Sequence, residues 1–507
     1  MKKLFNGCWR DLLALTSGGL LTLAFAPFNL YLLGILSPAL LLGCWLNATP
    51  IKAFWRGWLF GLGFFGTGVY WVFNSIHLFG NADLTLSCLI TGGFIMLLAL
   101  FPALTGFFLN KRFSGSTVAK TLLAFPALWI SAELARSYMF TGFPWLLLGY
   151  SQINSPLKGF APLLSVYGVS LAAVISSGLL VNAALQLQLK AYNKTCLNLL
   201  VLIFIWVTGW QLSHIGWTQP LGAPIKVSLV QGNVPQEIKW SPDNIQPTLD
   251  LYLKLTEPLW NSKIIIWPEA AIPITLQDAA DYVQILSDKA TQHQSTLIAG
   301  IPVKATHADG YYNAVIALGK DKSFYLKRHL VPFGEYTPFP SILNKLLGSL
   351  NIPMSDFIPG AQKPTLLMAN GIKIVTYICY EVAYAEQAIY KDDTIGLMLT
   401  VTNDAWFGRS IAQAQHLQIA QMRALELGRP LLFVGNNGIT AIISSHGAIN
   451  ANAPPFKTFV LTDNIQPMWG RTPWQQLALD PILILLMCML LSANKLNQLA
   501  NSFKSEK

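Results

Sequence analysis

Long apolar segments constrain what this chain can fold into more than any other feature of its sequence. A helix needs about 20 predominantly apolar residues to cross the roughly 30 Å hydrocarbon layer of a membrane. Because only 11% of the 507 residues are charged, against about 25% in soluble domains, the sequence excludes a wholly soluble protein. Eight segments are predicted to span, and they lie at residues 12–29, 31–48, 57–75, 84–109, 121–138, 160–187, 197–214 and 475–493.

The distribution of basic residues predicts how these segments are oriented. Alternate threading places thirteen Lys and Arg on one side of the membrane, and two, Arg136 and Lys158, in the short loops on the other. Positively charged loops stay in the cytoplasm, so we expect both termini there and the polar region 223–472 outside it. The first segment also resembles a signal peptide ending at Ala24-Phe25-Ala26, but the spans that follow at once favour an uncleaved anchor.

These features predict three domains. They are a transmembrane bundle of seven spans at 1–215, an exported α/β domain at 223–472 and a C-terminal transmembrane helix at 475–493. The exported region holds 19 basic and 19 acidic residues, so the net charge of +10 belongs to the apolar flanks, and no nucleic-acid partner is expected.

Runs of β-forming residues alternate with helical patterns in the region 223–472, which predicts helices packed on sheets. The predicted strands are Ile225–Val230, Ile264–Trp267, Thr296–Ile301, Ala314–Leu318, Ile372–Cys379, Leu397–Thr402, Leu431–Val434 and Thr440–Ser444. The helical patterns include Pro247–Leu259 and Ala412–Leu427.

An acid, an amine and a thiol, Glu269, Lys327 and Cys379, each follow a predicted strand of this region. Each has an ordinary structural explanation when taken alone: Glu269 as a helix-capping acid, Lys327 as a solvated charge and Cys379 as a small buried residue. Together they form a coherent catalytic set. A carboxylate can remove the proton of the thiol, and an ammonium group can stabilise both the thiolate and the oxyanion formed when it attacks.

The motifs around these residues resemble the Glu-Lys-Cys set of the nitrilase superfamily. They are Trp267-Pro268-Glu269, Lys327 followed by His329-Leu330-Val331-Pro332-Phe333-Gly334-Glu335, and Cys379-Tyr380-Glu381. With apolar spans on both sides, the whole chain resembles the apolipoprotein N-acyltransferase family of the bacterial inner membrane. Further matching motifs are Gln231-Gly232-Asn233, Thr402-Asn403-Asp404-Ala405-Trp406-Phe407-Gly408, Arg423-Ala424-Leu425-Glu426 and Asn436-Asn437-Gly438.

The resemblance implies a fold and a reaction. The fold is an αββα sandwich beside a bundle of about eight transmembrane helices, with the catalytic domain in the periplasm. Glu269 would be the general base, Lys327 would support the tetrahedral intermediates, and Cys379 would be the nucleophile, with Glu335 and Glu381 as auxiliary acids. An acyl chain would pass from the sn-1 position of phosphatidylethanolamine through a thioester to the α-amino group of a diacylglyceryl-cysteine at a lipoprotein N-terminus, without a cofactor.

Substrate contacts are expected at Trp240, Tyr380 and Glu426, and the apolar loop 337–343 is expected to admit acyl chains or to pack as core. A monomer is expected. No metal site is predicted, because the seven histidines do not stand at paired ligand spacings.

Two other functions compete with acyl transfer. A membrane-tethered amidase that hydrolyses C–N bonds would use the same triad, although eight spans exceed what a tether needs. A transporter or receptor would carry ionisable residues inside its spans, where the sequence offers only Glu133 and Arg136 near a span end.

Overall fold

The computed structural model describes residues 2–80, 82–306, 309–336, 356–361 and 365–505, so the predicted entry loop 337–343 lies outside the described residues. The chain forms two compact units. The helical unit comprises Met1–Phe73, Leu84–Ile215 and Gln476–Lys507, and the sheet unit comprises Asn74–Asp83 and Gly216–Gln475.

Apolar helices build the helical unit, and each predicted span overlaps one of them. Four described helices are long and apolar enough to cross a membrane, namely Leu84–Arg112, Pro156–Gln188, Tyr192–Leu212 and Asp480–Ser502, and Pro50–Gly68 gives a fifth if it is counted with the helical turn that follows it. Leu33–Trp45 has only 13 residues, or about 20 Å of helix. The count of eight spans therefore stays a prediction. The main helices are Lys2–Leu21, Leu33–Trp45, Pro50–Gly68, Leu84–Arg112, Phe125–Tyr138, Ala161–Gln188, Tyr192–Leu212 and Asp480–Ser505.

Local signals explain the packing and the ends of these helices. Thr49 begins Pro50–Gly68 by accepting a hydrogen bond from the Lys52 N–H at 3.4 Å. Gly18 allows a close helix crossing, because a Cβ there would lie 2.0 Å from the Phe60 carbonyl oxygen.

The charged pair in the helical unit, Glu133 and Arg136, binds the loop that follows its helix. Glu133 accepts a hydrogen bond from the Leu148 N–H at 2.8 Å, and Arg136 donates to the Phe143 carbonyl at 2.8 Å. The pair thus has a structural role in holding this loop, which weakens the transporter alternative.

Two six-stranded sheets form the core of the sheet unit, in the orders β13-β2-β3-β4-β5-β6 and β12-β11-β10-β9-β8-β7, while β1 pairs with β14. The strands are β1 Gln219–Pro220, β2 Ile225–Gln231, β3 Ile264–Ile266, β4 Thr296–Lys304, β5 Tyr311–Leu318, β6 Ser323–Leu326, β7 Leu367–Ala369, β8 Ile372–Ile378, β9 Ile395–Thr402, β10 Leu431–Gly435, β11 Ala441–Ile443, β12 Ile449–Asn452, β13 Phe459–Ile465 and β14 Met468–Trp469.

Helices cover the outer faces of the two sheets. Pro242–Thr256 and Ala280–Gln292 share a buried apolar core with β2 to β5, and Ala412–Leu427 packs on β10. Strands of the two sheets contact each other, so the layers follow the order helix, sheet, sheet, helix. Shorter helical pieces are Gln236–Lys239, Cys379–Ala383, Asp404–Phe407 and Pro473–Leu477.

Strand direction brings the predicted reactive residues to comparable ends of the sheets. β2, β3 and β4 run parallel in one sheet, and β8, β9 and β10 run parallel in the other. Residues that follow β3, β8 and β9 therefore lie at carboxyl ends of parallel strands, where open α/β sheets place their sites.

All eight predicted strands are present, with bounds shifted by a few residues. The strands that the sequence did not indicate are β6, β7, β12, β13 and the short β1–β14 pair. They are short or at sheet edges, and β12 is exposed along most of its length, so no apolar run marks it.

Candidate active site

Glu269 lies in a tight turn directly after β3, and both of its carboxylate oxygens accept hydrogen bonds. Asn313 donates to Oε1 at 2.8 Å, and the Asn403 N–H donates to Oε2 at 2.8 Å. The turn packs against Gly300 of β4, where a Cβ would lie 2.7 Å from the Glu269 Cα, so only glycine permits this approach. The carboxylate is thus buried, and two donors orient it.

Lys327 follows β6 and is almost completely buried, with 1% of its surface exposed. Its Nζ lies 2.9 Å from the Glu335 carboxylate and 3.7 Å from Glu269 Oε1. Burial alone would lower the pKa of Lys327, but the charges of Glu335 and Glu269 outweigh it and raise the pKa above its usual value. Lys327 is therefore a permanent cation at physiological pH.

Cys379 follows β8 and begins the helical turn Cys379–Ala383. Its φ of +54° is a left-handed conformation that a cysteine adopts only when the surrounding structure holds it. Burial raises the pKa of the thiol, the Glu269 carboxylate raises it further and the Lys327 ammonium opposes them. The raised pKa favours the protonated thiol at neutral pH, so a base would be needed to form a thiolate.

Glu335 and Glu381 occupy different positions around this cluster. Glu335 accepts from Asn313 at 3.0 Å as well as from Lys327, so it shares its amide donor with Glu269. Glu381 is fully buried and accepts the Arg328 N–H at 2.7 Å and the Ile378 N–H at 2.8 Å. Burial raises the pKa of Glu381, and the backbone donors counteract the rise.

The three expected substrate contacts fall in different environments. Tyr380 follows Cys379 in sequence, is 9% exposed and packs edge-on against Tyr384, with ring centroids 5.3 Å apart. Trp240 is partly exposed and follows the short helix Gln236–Lys239. Glu426 is fully buried and paired with Arg423, and its expected contact with substrate stays a prediction.

Several residues of the cluster were not anticipated from the sequence. Asn313 lies within β5 and joins both carboxylates, and Lys239 donates from Nζ to the Glu269 carbonyl at 3.0 Å. Burial lowers the pKa of Lys239 to about 8, against the opposing charge of Glu269. Asn403 belongs to one of the sequence motifs, but its role as a backbone donor to Glu269 is visible only in the fold.

A ten-residue segment, Asn74–Asp83, packs on the turn that follows Asn403. The Ser75 hydroxyl donates to the Trp406 carbonyl at 2.8 Å, and the rings of Phe79 and Trp406 lie 5.2 Å apart. This segment is flanked in sequence by helices of the helical unit, yet it belongs to the sheet unit.

Among the described residues, no group of three or more His, Cys, Asp or Glu side chains is arranged to hold a metal ion. The chemistry available to the cluster is that of an acid, a fixed cation and a thiol: proton removal, oxyanion stabilisation and nucleophilic attack.

Comparison with known proteins gives the family. The model of the apolipoprotein N-acyltransferase N-terminal domain matches residues 17–179, and the model of carbon-nitrogen hydrolases matches residues 226–473. The apolipoprotein N-acyltransferase of Coxiella burnetii is 45% identical over 482 residues, which cover 95% of this chain and 99% of that protein. The chain belongs to the apolipoprotein N-acyltransferase family.

A second relative supports this assignment. The apolipoprotein N-acyltransferase of Methylococcus capsulatus is 44% identical, with 91% of each chain covered. A CN-hydrolase superfamily protein of known structure from Xanthomonas campestris is 19% identical, with a TM-score of 0.37, and the match covers 48% of this chain and 91% of that one.

Membership in the apolipoprotein N-acyltransferase family confirms the activity expected from the sequence, which is N-acyl transfer in lipoprotein biosynthesis. It also confirms the nitrilase-like fold of the sheet unit and a bacterial inner-membrane enzyme with apolar helices.

Proposed function

We propose that Cys379, Glu269 and Lys327 carry out acyl transfer in two half-reactions. In the first, Glu269 takes the thiol proton and Sγ attacks the sn-1 ester carbonyl of phosphatidylethanolamine. Lys327 stabilises the oxyanion, the bond to the glycerol oxygen breaks, and Glu269 returns the proton to that oxygen. The products are a Cys379 thioester and a lysophospholipid.

The second half-reaction delivers the acyl chain to the lipoprotein. The α-amino group of the diacylglyceryl-cysteine attacks the thioester carbonyl, Glu269 takes a proton from the amine, and the C–S bond breaks. The sulfur recovers that proton, so one amide forms and the thiol is regenerated without a cofactor. Glu335 keeps Lys327 charged in both steps, and Glu381 holds the backbone near the nucleophile.

The observation that carries this proposal is the single buried cluster of acid, amine and thiol. Glu269 Oε1 lies 3.7 Å from Lys327 Nζ, and the charges of both residues act on the thiol pKa. A protonated thiol beside a fixed base suits a nucleophile that is activated only when a substrate is bound.

Mass spectrometry of the full-length protein tests the proposal. Exposure to phosphatidylethanolamine should add one acyl mass to Cys379, and a diacylated lipopeptide should remove it as a triacylated product. Cys379→Ala should take up no acyl chain, whereas the exposed-cysteine control Cys488→Ala should behave as the native protein. An acyl adduct that persists in Cys379→Ala would refute the nucleophile, and release of free fatty acid instead of triacylated peptide would favour a hydrolase.

Glu269→Gln provides a second test of the triad. The amide keeps the size of the side chain but cannot accept the thiol proton, so acyl-enzyme formation should fall roughly 10²- to 10⁴-fold. The rate of acyl uptake, measured by the same mass analysis at a fixed protein concentration, gives the answer. A native rate would remove Glu269 as the base.

We propose that Trp240 and Tyr380 line the acyl route and that one copy of the chain suffices, since all triad residues come from one chain.

We further propose domains at 1–215, 223–472 and 475–493, eight spans, cytoplasmic termini and a periplasmic catalytic domain, supported by the asymmetry of basic residues. Labelling of single cysteines with a membrane-impermeant reagent tests the topology. Residues introduced near position 222 should label in intact spheroplasts, and residues near position 504 should label only after lysis.

A further inference from the structure

Three buried side-chain amides, those of Gln236, Asn403 and Asn436, form a hydrogen-bonded amide chain beside the proposed base. The Asn403 side chain is held at both ends. Its Nδ2 donates to Gln236 Oε1 at 2.6 Å, and its Oδ1 accepts from Asn436 Nδ2 at 3.1 Å. The backbone N–H of the same Asn403 donates to Glu269 Oε2 at 2.8 Å. The middle residue of the amide chain thus contacts the carboxylate, while the three side-chain amides have no part in the proposed proton transfers.

Backbone groups fix the direction of each hydrogen bond in the amide chain. The Val234 N–H can only donate and its carbonyl can only accept, and the Asn436 side chain contacts them at 3.1 Å and 2.8 Å respectively. Asn436 therefore turns Oδ1 to the N–H and Nδ2 to the carbonyl, and it donates its second Nδ2 hydrogen to Asn403. Asn403 must then accept with Oδ1 and donate with Nδ2, so Gln236 accepts with Oε1. All three side chains are amides, so this pattern involves no titrating proton.

The amide chain also connects the two sheets at the place where Glu269 lies. Val234 follows β2 in the sheet that carries Glu269 after β3, whereas Asn403 and Asn436 follow β9 and β10 in the other sheet. The hydrogen bond from Asn403 to Glu269 therefore crosses from one sheet to the other. Its geometry depends on how firmly the Asn403 segment is held against the first sheet, and the amide chain provides that hold.

The short helix Gln236–Lys239 contacts the Glu269 segment at a second point. Lys239 lies three residues after Gln236, and residues at this spacing share one face of a helix. Lys239 Nζ donates to the Glu269 carbonyl at 3.0 Å. One helical turn thus braces the Glu269 backbone directly and its carboxylate through Asn403.

We propose that Gln236 and Asn436 are positioning residues of the acyl transfer, because their side chains hold the Asn403 segment whose N–H orients the Glu269 carboxylate. This inference rests on the proposed role of Glu269 as general base. A base is effective only when it stays within hydrogen-bond reach of the proton that it takes, so a loosened carboxylate slows proton removal. No side chain of the amide chain is proposed to contact substrate, so its loss should leave phospholipid binding unchanged.

Gln236→Met tests the proposal, because methionine has a similar length but offers Asn403 no oxygen acceptor. Acyl-enzyme formation on the full-length protein is followed by mass spectrometry over a range of phosphatidylethanolamine concentrations. The maximal rate should fall about tenfold, with the half-saturating concentration unchanged. Gln246→Met, at an exposed glutamine of the helix Pro242–Thr256, is the matched control and should keep the native rate. A native rate in Gln236→Met would overturn the proposal.

Asn436→Ala removes the other contact of the Asn403 side chain and should also slow acyl-enzyme formation about tenfold, measured per folded protein. This variant also loses both contacts with Val234, so its stability should fall as well. Gln236→Met keeps those contacts and tests the positioning role even if Asn436→Ala does not fold. A native rate in folded Asn436→Ala would remove Asn436 from the proposal.

The double variant Glu269→Gln/Gln236→Met separates positioning of the base from general loosening of the site. Glu269→Gln has no base to position, so adding Gln236→Met should reduce its residual rate by less than about twofold. A further loss of about tenfold would show that Gln236 supports another part of the site, and it would refute the inference. A native rate in Glu269→Gln alone would instead refute the proposed base, so the two failures are distinguishable.

Discussion

At the scale of single residues, the carboxylates of Glu335 and Glu269 lie near the same ammonium group, that of Lys327, at different distances. Glu335 contacts Lys327 at 2.9 Å, and Glu269 lies 3.7 Å from it. Glu335 therefore holds the cation more closely than Glu269, which is the proposed general base. Asn313 ties the two carboxylates together by donating to both. This arrangement would allow the proposed base to act beside a fixed positive charge that is paired mainly with Glu335.

Replacing Glu335 tests this division. Glu335→Gln removes the close counter-charge of a buried lysine, so the free energy of unfolding should fall by about 3 kcal/mol and acyl-enzyme formation should slow. Denaturant unfolding in detergent and acyl uptake measure the two effects. The control is Glu257→Gln, at the exposed pair with Lys289, which should change neither. If Glu335→Gln has native stability, Glu269 alone is sufficient to compensate the positive charge of Lys327.

Lys239 gives a pH prediction at the same scale. Burial lowers its pKa to about 8 in the folded protein, below the usual 10.5 that it has when unfolded. As the pH rises, the folded state therefore loses this proton before the unfolded state does. The stability that Lys239 contributes rises between about pH 8 and pH 10.5. On lowering the pH, this contribution is lost as the pH falls through 8.

Lys239→Met removes the titrating group. The melting temperature of the variant relative to the native protein should therefore be more favourable at pH 7 than at pH 10, as measured by thermal unfolding at both pH values. Lys254→Met, at an exposed lysine, should show no such difference. An equal offset at the two pH values would contradict the lowered pKa.

At the scale of secondary-structure elements, Glu381 connects two segments that carry triad residues. Its carboxylate accepts the N–H groups of Arg328 and His329, just after Lys327, and that of Ile378, just before Cys379. The Tyr325 hydroxyl is a fourth donor at 2.9 Å. One side chain thus fixes the amine-bearing loop to the end of β8.

Glu381→Ala leaves four donors without an acceptor in a buried site. We expect a loss of about 3 kcal/mol or more in the free energy of unfolding, with acyl uptake reduced even in the folded fraction. Tyr325→Phe removes one donor and should cost about 1 kcal/mol. Denaturant unfolding compares the two variants. Equal stability of Glu381→Ala and the native protein would mean that water replaces the carboxylate.

The sequence predicted the strands that precede Glu269 and Cys379 because each is a buried apolar run followed by a reactive residue, whereas β6, before Lys327, lacks such a run. Ile264–Ile266 before Glu269 and Ile372–Ile378 before Cys379 have this pattern. It did not predict the edge strands, which are short or only partly buried, nor partners far away in the chain. Asn403 reaches Glu269 across 134 residues, and only strand order in the folded sheets makes them neighbours.

At the scale of the whole molecule, the segment Asn74–Asp83 makes the catalytic unit discontinuous in sequence. Phe79 packs on Trp406, and Asn74 donates to the Phe407 carbonyl at 3.0 Å. These contacts support the turn that begins at Asn403, whose N–H orients Glu269.

Phe79→Ala should therefore lower the rate of acyl-enzyme formation, although Phe79 is remote from the triad in sequence. Loss of a large aromatic contact loosens the Asn403 turn, and a several-fold decrease in acyl uptake is expected. Phe324→Ala, at an exposed ring of the same unit, is the control and should retain the native rate. A native rate in Phe79→Ala would show that the turn needs no support from this segment.

Because the sheet unit is discontinuous in sequence, it cannot be isolated whole as one continuous fragment of the chain. A water-soluble fragment cut at 216–475 would omit ten residues that its own active-site turn rests on, however well its sheets assembled. A miniaturised acyltransferase would need those residues grafted back through an artificial linker. The stretch of chain between two apolar helices thus contributes a structural part of the sheet unit as well as joining those helices.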